Sequence, residues 1–442
     1  MSKGKEARGK PAATLGRVQG VALYAGAVLG SGVLVIPAVA AELAGPASLV
    51  AWGAMTLLTL PLALTMSLLS SRFPGGGGVS TFIGKAFGPA ASAVVGWTFL
   101  LAVPLGAPLA ALVGGAYATA AFGLPPGARP SLAVLILLLV LASSYRGVGT
   151  VGRLQVAVVV GIVAVLLLAI AAAVPDVEAG RFVPFAPHGA VGVGQAAAIL
   201  FWSFIGWEAV GHLSGEFGRP GRDLVPAVLW AALLVGLLYL GTAVAVVGTG
   251  TYGGERTEAA LALVIREGLG PAAGWLAGVL AILCTVAPAN AYVGGAANLA
   301  RSLAESGLAP RWLGASHPSR GTPVGALASL GLAFVPALAL LGAGVFSVRD
   351  LLALPTAGFV ATYALGAAAG VRLAGGRAAR RLALVALAAS LLVYPFLGWA
   401  ALYPALTGSA GLLAWRLGRR RRSTGDTFPA PCTDERRQAC PG

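Results

Sequence analysis

Apolar residues in this chain do not recur with the three-to-four-residue period of a half-buried helix. They run on almost without interruption. Twelve such runs lie at roughly 17–43, 47–70, 89–122, 131–145, 154–174, 193–215, 224–249, 271–299, 323–344, 350–371, 382–397 and 401–416, separated by turns rich in Gly, Pro and charge. A stretch of ~20 apolar residues is the length that crosses the hydrocarbon core of a bilayer. A soluble helix would carry a polar face instead. The pattern therefore predicts an all-α polytopic membrane protein with 12 transmembrane helices. The third, fifth and eighth runs are long enough to tilt, while the fourth and the last two are short.

Two runs are interrupted from within. The first contains "VLGSGVLVIP", 28–37, where Gly30, Ser31 and Gly32 loosen the backbone and Pro37 removes a donor. The sixth contains "FWSFIGWEAVGHLSGEF", 201–217, with a break expected around Gly206 and a carboxylate, Glu208, near mid-membrane. An unpaired peptide group in lipid costs several kcal/mol, so irregular backbone survives only where it packs in protein or lines a cavity. Either break alone reads equally well as close helix packing. A pair, five spans apart and so at corresponding positions of two halves, points to a transporter binding site.

The local chemistry suits an amino-acid-shaped ligand. Past a break the second half-helix begins with free N–H groups and a positive dipole end, which favour a carboxylate. The N–H groups of Ser31, Gly32 and Val33 are the candidates. The preceding half-helix ends in free carbonyls, which favour an ammonium. Those of Ala27 and Val28, with Trp202, Ser203 and Ile205, are the candidates there.

Composition and charge sharpen this picture. The 442 residues are 57% hydrophobic and 10% charged, with mean hydropathy +0.86. With the N-terminus inside, 25 of the 30 Lys and Arg residues fall on the cytoplasmic side, and Arg129, Arg181, Arg256, Arg266 and Arg349 fall outside. Both termini are thus expected in the cytoplasm. Basic loops and a basic tail beside an anionic leaflet also account for the net charge of +15 without nucleic acid. The basic start and "AVAAELAG" resemble a signal peptide, but the apolar run is too long for one. Three cysteines, Cys284, Cys432 and Cys440, suggest no disulfide framework. "GVGTVG", 147–152, matches a dinucleotide-type glycine pattern without a preceding strand, and "FPGGGG", 73–78, lacks the Lys-Ser/Thr of a phosphate loop. Both read as loops.

"GSGVLVIP", "FWSFIGWE", "EFGRPGRDLVPAV" (216–228) and "FPGGGGVSTFIGKAFG" (73–88) resemble the amino acid–polyamine–organocation (APC) superfamily of secondary transporters over about residues 15–415. "VPLGAP" (103–108) and "EAVGHLSGEF" (208–217) are most similar to its bacterial exporters of methionine and branched-chain amino acids. The resemblance implies a LeuT-like five-plus-five inverted repeat, with spans 1 and 6 broken and two extra C-terminal helices. It implies that Gly30, Ser31 and Gly32 take the substrate carboxylate, and that Trp202 and Phe204 pack on or gate the substrate beside Gly206. The lysine that many members carry in the fifth span is absent from "LQVAVVVGIVAVLLLAIA".

The expected organisation is an N-terminal cytoplasmic segment, 1–16, then a single transmembrane domain, 17–417, and a basic disordered tail, 418–442. Within the domain the first repeat spans about 17–175, the second about 193–371 and the extra helices about 382–416. Few ionisable residues lie inside the membrane. Glu208, His212 and Glu216 are four residues apart, so on an α-helix they would share one face leading from the site. Glu208 and His212 are the proton-coupling candidates. The alternatives are a Glu208 that only ties the sixth span to the first, and a Glu216 paired with Arg219 or Arg222.

The expected function is secondary transport of neutral, mostly apolar amino acids across the plasma membrane, by efflux, with a proton as candidate coupling ion. An amino acid/amine exchanger, an importer and a transport-free sensor remain open. An intramembrane enzyme is not expected, because no nucleophile–base set or HExxH pattern is present. No cofactor, metal or nucleic-acid partner is expected, and the oligomeric state is open.

Overall fold

A computed structural model describes residues 15–125, 127–342 and 348–423. Most of the expected N-terminal segment, and the tail from 424 with Cys432 and Cys440, lie outside the described residues. The described residues are predominantly helical. In order run α1 (Arg17–Val28), α2 (Gly32–Ala44), α3 (Ser48–Arg72), α4 (Val79–Phe87), α5 (Pro89–Ala121), α6 (Ala128–Tyr145), α7 (Val148–Ala173) and α8 (Gly189–Ser203). They are followed by α9 (Pro220–Thr249), α10 (Ala260–Leu269), α11 (Trp275–Glu305), α12 (Val324–Gly342), α13 (Val348–Leu373), α14 (Arg377–Val393) and α15 (Tyr403–Ser423). The extended backbone pairing is an isolated parallel bridge between Leu15 and Phe217.

Eight helical stretches among the described residues are long and apolar enough to cross a membrane, and a ninth if α14 and α15, bent by 119°, count as one. The outer surface is apolar as lipid requires, with Leu57 69% and Leu332 74% exposed. This is an all-helical, multi-span membrane protein. The predicted runs 17–43 and 193–215 fall on α1 with α2 and on α8 with the segment after it, where the helix stops and restarts.

Pro37, which removes a donor, sits inside α2. It is one turn beyond the helix start, so its missing N–H removes a single intrahelical bond while packing retains the helix. At the other end, α15 continues to Ser423, past the boundary expected at 417.

The interior is centred on α5 and α11, which pack against each other, and on α1, α2 and α8 beside them. Buried Tyr24, Trp52, Phe99, Trp207, Tyr239 and Tyr363 lie in that interior. A tyrosine hydroxyl within an apolar interior is most stable with a polar partner. Those of Tyr239 and Tyr363 find theirs at the helix breaks.

Candidate functional site

The first break is short. Leu29 N–H still bonds Ala25 O at 2.7 Å, then Gly30 N–H turns back to Val28 O at 2.7 Å. The new helix starts with Val33 N–H on Gly30 O, 3.2 Å, and Leu34 N–H on Ser31 O, 3.1 Å. The N–H groups of Ser31 and Gly32 enter none of the described backbone bonds across the break. Two donors are therefore left for a ligand where sequence suggested three, because Val33 closes the first turn.

The second break follows α8. Phe204 N–H bonds Phe201 O at 3.1 Å and Ile205 N–H bonds Trp202 O at 3.3 Å, so the helix tightens before it ends. Gly206 has φ 139°, a conformation that side chains rarely adopt. A Cβ there would stand 2.6 Å from Ala27 O and 3.0 Å from Val28 Cγ2, so the two breaks touch at this glycine. Residues 209–216 then continue as a 3-10 helix.

Between the breaks lies a cavity of about 90 Å³. One water needs roughly 10–15 Å³ by the same measure, so the space admits a small solute. Ala27, Val28, Gly30, Ser31, Gly32, Trp202, Ser203 and Ile205 line it, all anticipated from sequence. Val103, Ala107 and Ala110 of α5, Pro288 of α11 and Phe359 of α13 complete an apolar wall, and Tyr292 adds a polar atom.

Val33, Phe204 and Gly206 do not line the cavity. Val33 is buried in the core, and Phe204 packs with Trp52 and Tyr239 at ring-centroid distances of 6.0 and 5.3 Å. Phe204 is thus part of the support behind the site, because the tightened end of α8 turns its ring toward α3 and α9.

Tyr239 of α9 was not singled out from sequence. Its hydroxyl donates to Val28 O at 2.7 Å and stands 2.9 Å from Ser203 O. One proton is shared by the terminal carbonyls of both breaks. That leaves Ala27 O and Ile205 O, rather than all five predicted carbonyls, outside the described hydrogen bonds.

Glu208 is fully buried. Its Oε1 accepts from the Tyr292 hydroxyl at 2.7 Å. Its Oε2 accepts from Gly206 N–H at 3.2 Å and from the Tyr363 hydroxyl. Tyr363 also accepts from Gly206 and Trp207 N–H, each at 3.0 Å. The carboxylate therefore ties the second break to α11 and α13, not to the first break. Tyrosines within apolar runs were the available signal for Tyr239, Tyr292 and Tyr363.

The expected stripe of Glu208, His212 and Glu216 is not formed. In a 3-10 helix of three residues per turn, positions four apart point in different directions. His212 packs on the Phe99 ring at 4.3 Å beneath the turn at Gly78, which has no room for a Cβ. Glu216 pairs with Arg301 at 3.7 Å rather than with Arg219 or Arg222. Among the described residues no cluster of His, Cys, Asp or Glu could hold a metal ion.

A multi-span helical bundle with a small cavity between two helix interruptions, the first offering the N–H groups of Ser31 and Gly32 and both offering a carbonyl, has the form of a membrane transporter for a zwitterion. The chain belongs to the amino acid permease family, which matches residues 15–408. It is 34% identical over 395 residues to the "uncharacterized amino acid permease YecA" of Bacillus subtilis (strain 168), covering 89% of this chain and 93% of that protein. It is 34% identical over 414 residues to the "L-methionine/branched-chain amino acid exporter YjeH" of Escherichia coli (strain K12), covering 92% and 97%. It is 27% identical over 323 residues to the "branched-chain amino acid permease BcaP" of Bacillus subtilis (strain 168), covering 67% and 68%. The protein is an amino acid transporter and not an enzyme.

Proposed function

We propose that this protein exports neutral apolar amino acids of the methionine and branched-chain type across the plasma membrane, by alternating access around the two helix breaks. The observation that carries the reading is the cavity. Ser31 and Gly32 N–H can hold the α-carboxylate, Ala27 O and Ile205 O the α-ammonium, and Val103, Ala107, Pro288 and Phe359 receive an uncharged side chain. Among the described residues no Lys, Arg, Asp or Glu lines it, so a charged side chain would have no opposite charge to meet. The similarity to the exporter of methionine and branched-chain amino acids supports the direction and the substrate class.

Packing supports twelve spans in two repeats of five. Gly32–Arg72 runs 41 residues, about 60 Å if straight and twice the ~30 Å core, and Gly45 with φ 61° interrupts it. Splitting it there gives spans 1 and 2. Exchanging spans 1–5 for spans 6–10 then turns the α5–α13 contact into α11–α7 and the α6–α11 contact into α12–α5, and it maps α3–α9 and α5–α11 onto themselves. Every one of these pairs is in contact. The orientation has support too. Arg146, Arg153, Arg301 and Arg320, expected inside, border one large cavity, whereas Arg129 and Arg266, expected outside, border another.

For coupling, Glu208 is the better placed of the two candidates, since its partner Tyr292 lines the cavity and His212 does not. The test of the substrate reading is counterflow of labelled leucine in proteoliposomes against unlabelled competitors. Isoleucine, valine and methionine should compete, and arginine and glutamate should not. Efficient competition by arginine would refute the assignment and favour an amino acid/amine exchanger.

A further inference from the structure

We propose that the "GVGTVG" turn is an anion-binding site for a phosphate group, separate from the amino acid cavity. The segment is the start of α7: Gly147, with φ 103°, precedes the helix, which begins at Val148 and runs 26 residues. Thr150 and Val151 N–H both turn back to Gly147 O, at 2.9 and 3.2 Å. The Val148 and Gly149 N–H groups enter none of the described backbone bonds. Such a long helix presents its positive dipole end and free donors at this point.

The helix end does not open onto featureless solvent. It borders a cavity of about 890 Å³ whose wall includes Arg146, Arg153 and Arg320. Among the described residues none of these three has a carboxylate partner, while Arg301 in the same wall is paired with Glu216 and Glu305 at 3.7 and 3.9 Å. Arg320 is held in place over the Tyr145 ring, 5.4 Å from its centroid.

Two hydroxyls add an independent sign of a ligand. Ser144 and Thr322 line this cavity, are 6% and 4% exposed, and have no hydrogen-bond partner. Thr322 Oγ1 lies 3.8 Å from where a Cβ on Gly147 would stand, so it faces the turn. A buried hydroxyl without a partner is destabilising, and an acceptor oxygen at the turn would satisfy it.

Charge selects the class of ligand. Three unpaired guanidinium groups and two backbone donors would repel the ammonium of a zwitterionic amino acid. They suit the compact, multiply negative oxygens of a phosphate, which guanidinium groups bind through paired N–H donors. That phosphate has two possible sources, the headgroup of an anionic lipid or a soluble phosphate compound, and the same donors would serve both.

The test uses the full chain in nanodiscs of phosphatidylcholine, with equilibrium binding of labelled inorganic phosphate against chloride at matched ionic strength. Saturable binding is expected, and the double variant Arg153→Gln/Arg320→Gln should weaken it about tenfold or more. Arg380→Gln, an exposed arginine on α14 away from the cavity, should leave it unchanged. Thr322→Val, which keeps the side chain's shape, should weaken phosphate binding while stabilising the unliganded fold. Absence of saturable binding, equal binding in the double variant, or a Thr322→Val protein with unchanged phosphate affinity would each overturn the proposal. Repeating the titration with phosphatidylglycerol added to the discs names the source: lost phosphate binding identifies the lipid headgroup, retained binding a soluble phosphate. The assay measures no transport, so it stands or falls independently of the substrate reading.

Discussion

Gly206→Ala is the substitution that most directly probes how the two helix breaks are held together. The φ of 139° lies where a Cβ is strained, at about 1–3 kcal/mol. The new methyl would also stand 2.6 Å from Ala27 O, which is backbone and cannot rotate away, and 3.0 Å from Val28 Cγ2. Overpacking of that kind adds about 1–3 kcal/mol. Even the low end of the sum, ~2 kcal/mol, lowers the folded-to-unfolded ratio about thirtyfold. Denaturant titration of the purified protein should show this loss, together with lost leucine counterflow. Gly30→Ala is the matched control. Its nearest neighbour would be Pro288 Cγ at 3.6 Å, ordinary contact, so it should keep wild-type stability while its methyl intrudes on the cavity and lowers substrate affinity. Wild-type stability in Gly206→Ala, or an equal loss in Gly30→Ala, would refute the claim that the breaks close on residue 206.

Three further outcomes follow from the same geometry. Gly32→Val should abolish substrate binding in a folded protein, since its Cβ would meet Ser203 Oγ at 3.0 Å and Ile36 Cδ1 at 3.2 Å, side-chain atoms that can yield, while its branches would cover the carboxylate donors; normal affinity would remove Gly32 from the site. Tyr239→Phe should cost about 1–3 kcal/mol by leaving Ser203 O without its donor and weakening the hold on Val28 O, read as a lower thermal midpoint together with weaker leucine binding. Glu208→Gln should fold, because the amide oxygen can face Tyr363 and its NH₂ the Tyr292 oxygen. It should keep counterflow and lose the response to an imposed pH gradient, whereas an unchanged gradient response would exclude Glu208 as the coupling group.

Much of the architecture was legible because its causes are local. Continuous apolar runs can satisfy their backbone in lipid only as helices, so "LQVAVVVGIVAVLLLAIA" had little choice but to become α7. Gly30 and Ser31 fall between the end of α1 and the start of α2 at Gly32, and eight residues picked from the runs 17–43 and 193–215 line one cavity.

Hydrophobicity and backbone preference act over a few residues, and they sufficed for the class of protein, for most of the helices and for the points where α1 and α8 end. Tertiary structure alone decided which groups at the breaks stay free. Val33 N–H is consumed by the returning turn, and Tyr239 reaches Val28 across 211 positions of chain. Tyr363 reaches Glu208 across 155 positions. The tightening of 209–216 into a 3-10 helix separated three acidic and basic residues that an α-helix would have aligned, and it left Glu216 to Arg301. Partners chosen by packing between distant helices leave no trace in local pattern, because each side chain's own run satisfies the bilayer equally well whichever neighbour it meets.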